Sequence, residues 1–238
     1  MLRLLLIFFV GLSISDFSYG QYVEFQVFRG DTINCRDKKG MKQGVWRKYY
    51  RNDTLCAETF FINDKPSGTA RSWYESGRLK AEAVHEGKKG RSRALSYFEN
   101  GKVMARGYYL NGKKDSLWNY FGENDSLKSI EIYRAGIAEG TWKVFYENGS
   151  LAEEKNYKNG RREGAYRQFS DSGVLLFEMN YKGDRENGQV SIFYSDGKLR
   201  ETGQYKNGLK EGEWKYYDSS GQVKSTRIYK GGNEKETP

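Results

Sequence analysis

The stretch from Gly140 to Gly164, GTWKVFYENGSLAEEKNYKNGRREG, returns every 24 residues along the chain, and so strict a period leaves few folds open. Units open at Gly44, Gly68, Ser92, Ser116, Gly140, Gly164, Gly188 and Gly212 and continue to residue 232 without insertion or deletion. With the opening residue as position 0, position 5 is aromatic in all eight units: Tyr49, Trp73, Tyr97, Phe121, Phe145, Phe169, Phe193 and Tyr217. Position 11 is Leu or Val throughout, and position 17 is Phe61, His85 and then Tyr in the remaining six units, from Tyr109 to Tyr229.

Positions 7 to 10 are turn sequences. Position 8 is always Asn, Ser or Asp, and position 9 is Gly except for Asp53 and Asp125. That is the code for a type I turn closed by a left-handed residue in a bulge, where Gly escapes the penalty that a Cβ would meet. A three-residue loop sets position 5 opposite position 11, and equal parity then extends the same face to position 17. Even positions should face the other way, led at position 2 by Trp46, Trp118, Trp142, Tyr166 and Trp214. The fold expected is all-β, an elongated antiparallel meander of about eight 24-residue β-hairpin repeats in a twisted single-layer sheet.

Outside the units, residues 1–20 carry Arg3, an apolar run from Leu4 to Val10, and small Ser18 and Gly20 before Gln21. This is the pattern of a cleaved signal peptide, its apolar run too short to span a bilayer. No second apolar segment follows in the sequence, so the expected location is exported, either periplasmic or secreted. Residues 21–43 read as an N-terminal cap strand and half repeat, with Val23, Phe25 and Val27 forming an apolar face. Residues 44–232 are the tandem array, and 233–238 form a polar, frayed tail. Cys35 and Cys56 should remain free thiols, because the strand between them separates their backbones by about 10 Å.

Forty Lys and Arg against 31 Asp and Glu give a net charge of +9, which favours anionic partners. The cations alternate with carboxylates in every unit instead of forming a stripe, which argues against nucleic acid. Lys65, Lys88, Lys89, Lys113, Lys114, Arg161, Arg162 and Lys210 fall in the unit-closing loops and should line one edge. Such a row suits an anionic membrane surface or envelope polymer, the alternative to a protein partner. His85, the single histidine, substitutes for a ring in the position 17 column, and there is no second His or paired Cys to complete a metal site or a triad. Glu58, Glu82, Glu154 and Glu178 recur with the repeat and face Lys or Arg, so no paired-carboxylate chemistry is expected. The sequence therefore offers no catalytic residue, metal ligand or cofactor motif.

One interruption of the pattern marks a candidate partner site. Ala70 and Ala94 replace the position 2 ring in two consecutive units and should leave a notch between Trp46 and Trp118. Lys88, Lys89 and Arg91 on the adjoining loop would give it a basic rim, while Arg71 and Arg93 should point to the opposite face. The ordinary alternative is local repacking, with neighbouring side chains leaning over the gap.

The unit pattern G-x-W-x-x-Y-Y-x-N-G-x-L-x-x-E-x-x-Y-x-N-G-x-x-E-G resembles the MORN-repeat variant of exported bacterial proteins, often labelled YwqK-type antitoxins. It is carried most fully by Gly140 to Gly164, by Gly188 to Gly212, and by the closing loop Lys206-Asn207-Gly208-Leu209-Lys210-Glu211-Gly212. The resemblance covers residues 37–232 and is weakest from Ser116 to Gly140, where Asp115-Ser116 and Asp125 depart from it. It implies a non-catalytic all-β scaffold for contact with a protein or membrane surface, with an antitoxin or immunity-like role by association.

Overall fold

Each unit carries two different turn codes and therefore folds as two strands. A computed structural model describes residues 22–85, 87 and 90–235; the signal-peptide expectation for residues 1–20 lies outside them. The strands are β1 (Tyr22–Phe28), β2 (Asp31–Asp37), β3 (Lys42–Tyr49), β4 (Leu55–Ile62), β5 (Lys65–Trp73), β6 (Leu79–His85), β7 (Arg91–Tyr97), β8 (Val103–Leu110), β9 (Lys113–Phe121) and β10 (Leu127–Arg134). They continue as β11 (Ile137–Ala138), β12 (Gly140–Phe145), β13 (Leu151–Lys158), β14 (Arg161–Phe169), β15 (Leu175–Lys182), β16 (Arg185–Phe193), β17 (Leu199–Lys206), β18 (Leu209–Tyr217), β19 (Val223–Lys230) and β20 (Asn233–Lys235). Neighbours in sequence pair antiparallel from one end to the other, with β10 pairing both β11 and β12, so the fold is an open all-β meander of hairpins.

The first turn of every unit has its position 9 residue left-handed, from φ 61° at Asp53 to 88° at Gly221. A backbone pair closes it, as in Tyr146 N–H to Ser150 O at 2.9 Å. The second, outside the partly undescribed connection between β6 and β7, is a two-residue turn with both residues at positive φ, as at Asn159 (50°) and Gly160 (80°) between the paired Lys158 and Arg161. Positive φ at both central positions defines the type I′ hairpin, whose twist matches that of the strands it joins.

Position 5 lies opposite position 11 in all eight units, as Phe145 does Leu151. The expectation that position 17 shares their face is wrong. Val144 pairs with Glu153 but Phe145 with Leu151, leaving Ala152 as an extra residue, and the same slip recurs in every unit. One inserted residue reverses the parity of everything after it. Position 17 therefore joins position 2 on a single aromatic face: Trp142 lies 4.6 Å from Tyr157 and 5.1 Å from Tyr133, and Trp214 lies 5.2 Å from Tyr205. Two buried clusters form on this face, one of Met179, Val190 and Trp214 and one of Ala94, Ala105 and Trp118.

The reverse face carries ion pairs across the hairpins. Arg47 meets Glu58 at 2.7 Å, Arg71 meets Glu82 at 3.7 Å, and Arg167 joins Glu178 at 2.7 Å to Glu154 at 3.2 Å. At this exposure each contributes at most about 1 kcal/mol. Successive hairpins are also stitched by tyrosines at position 6, since the hydroxyls of Tyr50, Tyr74, Tyr146 and Tyr194 donate to the carbonyls of Trp73, Tyr97, Phe169 and Tyr217 at 2.7–2.8 Å.

The ends differ from expectation. Residues before the first unit form a full hairpin, β1 and β2, and Val23, Phe25 and Val27 face solvent at 64%, 55% and 63% exposure because β1 is an edge strand with nothing packed on them. β2 pairs with β3 only at Cys35–Gln43 and Arg36–Lys42. Beyond that, the Asn34 amide replaces the ladder, accepting from Arg47 N–H at 2.8 Å and donating to its carbonyl at 3.2 Å. Both cysteines are free, with β3 between their strands. At the other end Asn233–Lys235 is strand β20 on β19 rather than a frayed tail.

Candidate functional site

The aromatic face is filled by side chains from positions 2, 4, 13, 15 and 17 of each unit, and its filling is uneven. Around β4 to β7 those positions hold Ala57, Thr59, Ala70, Ser72, Ala81, Ala83, Ala94 and Ser96, which floor a hollow of about 310 Å³ walled by Tyr109 and Trp118. Ala83 is paired with Ala70 on one side and with Ala94 on the other, so three methyl groups meet, two of them in the position 2 column where five units place a ring. Burial pushes the Tyr109 hydroxyl pKa up and keeps this wall uncharged.

Of the residues expected at the notch, Ala70, Ala94 and Trp118 line one hollow. Trp46 stands in the neighbouring strand against Phe61, covered by Lys42 at 4.5 Å and Arg36 at 5.1 Å. Arg91 lies 4.2 Å from the Tyr108 ring. Tyr109 lines the hollow, so its chain neighbour Tyr108 points to the reverse face and holds Arg91 away from the floor. Lys88 and Lys89 lie outside the described residues. Arg71 pairs with Glu82.

Three of the eight unit-closing cations expected along one edge turn onto the aromatic face instead. Lys114, Arg162 and Lys210 stand directly across from Tyr109, Tyr157 and Tyr205 in register, so their side chains rise on the aromatic face. Lys114 lies 5.1 Å from Trp118 and 5.0 Å from both Tyr120 and Tyr133; Lys210 lies 3.7 Å from Trp214 and 5.1 Å from Tyr229; Arg162 lies 4.1 Å from Tyr181. Ammonium and guanidinium groups are attracted to ring faces, more strongly when partly desolvated. The sequence held a signal for this arrangement: Lys42, Lys114, Arg162 and Lys210 each precede a ring by four residues, at Trp46, Trp118, Tyr166 and Trp214.

His85 Nδ1 and Ser92 Oγ are 2.7 Å apart, the separation of a nucleophile and its base. Ser92 is only 5% exposed, however, and burial depresses the imidazole pKa, so the pair is packed within the sheet. Among the described residues no three of His, Cys, Asp and Glu are grouped to hold a metal.

No curated protein matches the chain in sequence. Among solved structures it is similar to part of the TcdB2–TccC3–Cdc42 complex, at 12% identity and a TM-score of 0.23, with 86% of this chain and 13% of that one covered. It is also similar to part of a Photorhabdus luminescens Tc holotoxin pore, at 11% identity and a TM-score of 0.22, with 85% and 13% covered. The chain thus spans about an eighth of the length of either. The family model of the MORN repeat variant matches six segments, residues 42–63, 93–111, 138–159, 162–182, 186–207 and 210–230, together more than half of the chain. By these matches, the chain belongs to the MORN repeat variant family.

Proposed function

We propose that the chain is a non-catalytic scaffold that binds a protein partner in the cell envelope or secreted space, with the hollow over Ala70, Ala83 and Ala94 as its docking point. One observation carries this reading: on a face where five of the other six units supply a ring at position 2, this stretch supplies methyl groups and leaves room for about one large side chain from outside. An antitoxin or immunity-like role follows from the family resemblance, and the apolar run from Leu4 to Val10 supports export. Adhesion to an anionic membrane or polymer is the weaker reading, because Lys114, Arg162 and Lys210 are engaged by the protein's own rings.

The test is to fill the hollow. Trp118 lies directly on Gly107, where a Cβ would sit 2.3 Å from the indole, and Gly107 occupies the unit position of Ala83, so Ala94→Trp is combined with Ala83→Gly to copy that geometry. A photoreactive residue at Ser96 in the producing cell is expected to give a discrete protein adduct. That adduct should vanish in the Ala83→Gly, Ala94→Trp protein while its thermal stability is held or raised. An unchanged adduct in a stable filled variant rejects the reading.

A further inference from the structure

A ring at position 2 comes with a cation four residues ahead of it, with one exception. Lys42 precedes Trp46, Lys114 precedes Trp118, Arg162 precedes Tyr166 and Lys210 precedes Trp214. Where the ring is absent the cation is absent too: Pro66 precedes Ala70, Gly90 precedes Ala94 and Glu186 precedes Val190. Trp142 is a ring preceded by Ala138. Ala138 is paired with Tyr133 just as Lys210 is paired with Tyr205, so a longer side chain there would rise on the aromatic face.

In the occupied units Lys114 and Lys210 lie over the rings at positions 2, 4 and 17; here Trp142 and Tyr157 keep two of these rings and Val144 replaces the third. Tyr133 and Tyr157 flank Trp142 at 5.1 and 4.6 Å, and the indole Nε1 donates to the Ile132 carbonyl at 2.9 Å, which fixes the plane of the ring. Trp142 and Tyr157 are partly exposed, and among the described residues no cation lies over either. The nearby cations are committed: Lys114 lies 5.0 Å over the Tyr133 ring and 5.1 Å over Trp118. Lys155 is 2.8 Å from Glu153, and Arg162 lies over Tyr181 and 3.6 Å from Asp184. The Tyr133 hydroxyl donates to Glu131 at 2.7 Å, which places a carboxylate beside the rings; among the described residues that carboxylate makes no ion pair.

We propose that Trp142 and Tyr157, with Glu131 beside them, form a receptor for a cation borne by another molecule, specifically a lysine side chain of a protein partner. The internal precedent names the occupant, since three of the four equivalent positions hold lysine. Glu131 supplies a negative charge to offset the desolvation of the incoming ammonium. The site lies apart from the hollow of β4 to β7 and does not depend on what binds there.

The experiment follows the Trp142 indole N–H by nuclear magnetic resonance, assigned by its loss in Trp142→Phe. The probes are acetyl-Gly-Lys-Gly-amide and its norleucine counterpart, which has nearly the same shape without the charge. The lysine peptide should shift the peak saturably, with half-saturation on the order of millimolar, as a few desolvated ring contacts can supply. The norleucine peptide should not. Ala138→Lys should install an internal occupant, abolish the shift and raise the melting temperature. Tyr157→Leu, which removes one ring and leaves Ala138 in place, should weaken the lysine peptide about tenfold and covers the case in which Ala138→Lys misfolds. Equal shifts from both peptides, no saturation at tens of millimolar, or an undiminished shift in a folded Ala138→Lys protein would each overturn the proposal. A tetramethylammonium titration forms the last arm, and much tighter binding than the lysine peptide would overturn the assignment to a protein side chain.

Discussion

Strands β5 to β8 and β16 to β19 share one backbone and differ in what fills it. In the second stretch Trp214 is 1% exposed, Val190 is 1% exposed, and Met179, Tyr205, Tyr216 and Tyr229 close around them beneath Lys210. In the first, positions 2 and 4 carry Ala70, Ala94, Ser72 and Ser96 over an open hollow, with His85 and Tyr109 at position 17. Both keep the left-handed residue of the first turn, at Gly77 and Gly101 in one and at Gly197 and Gly221 in the other, and both keep the one-residue slip after it. The turns and bulge therefore set the register, and the face can then be filled or emptied without changing the fold. A sheet stabilised by nearest neighbours permits this, since a loss in one hairpin is not shared by distant ones.

The sharpest way to break the contrast is to empty the dense stretch. Trp214→Ala removes a fully buried ring and the seat of Lys210, and is expected to cost about 3–5 kcal/mol. Amide hydrogen exchange should accelerate in β16 to β19 while β3 and β4 stay protected. A uniform acceleration would mean that the array unfolds as one unit and that the local account is wrong.

A smaller effect tests the floor. A Cβ on Gly203 would sit 2.2 Å from Trp214, so Gly203→Ala forces the indole to shift and should cost about 1–3 kcal/mol. Ala83 holds the same place in its unit and faces only Ala70 and Ala94. Ala83→Val should therefore change stability by less than about 0.5 kcal/mol, or raise it. Equal penalties at the two sites in chemical denaturation would show that the hollow has no spare room.

Most of the backbone could be read from residues whose chemistry is local. Asn159-Gly160 dictates its turn, Gly149 its left-handed bend, and the pairing of Phe145 with Leu151 follows from the loop length. What could not be read was the slip at Ala152, because an extra residue in a strand has no side-chain signature; at the eight equivalent places the chain has Cys56, Lys80, Met104, Lys128, Ala152, Leu176, Arg200 and Lys224. Missing it put Tyr157 on the wrong face and hid the contact with Trp142 on which the proposed lysine receptor is built. The hollow was legible, because Ala70 and Ala94 break a column, whereas the rim was not. Charges such as Lys114 and Lys210 go where rings draw them, and that depends on the face assignment.

The last difference between the two stretches is a titratable one. The dense stretch has Tyr205 in the column where the hollow stretch has His85, the only histidine of the chain. Burial holds the His85 pKa below its ordinary 6.5 in the folded protein, so the unfolded chain binds the proton more readily. The sign follows: stability from the neutral ring is complete above about pH 6.5, and it is lost as pH falls from there through the folded pKa. Carboxylates have not begun to protonate appreciably just below that pH, so the slope between pH 7 and pH 5.5 is dominated by this residue. His85→Tyr gives the hollow stretch the dense stretch's residue and should flatten that slope, whatever it does to the absolute melting temperature through the loss of the Ser92 contact. Melting curves at half-unit pH steps would check this, and a slope that survives the substitution would place the titrating group elsewhere.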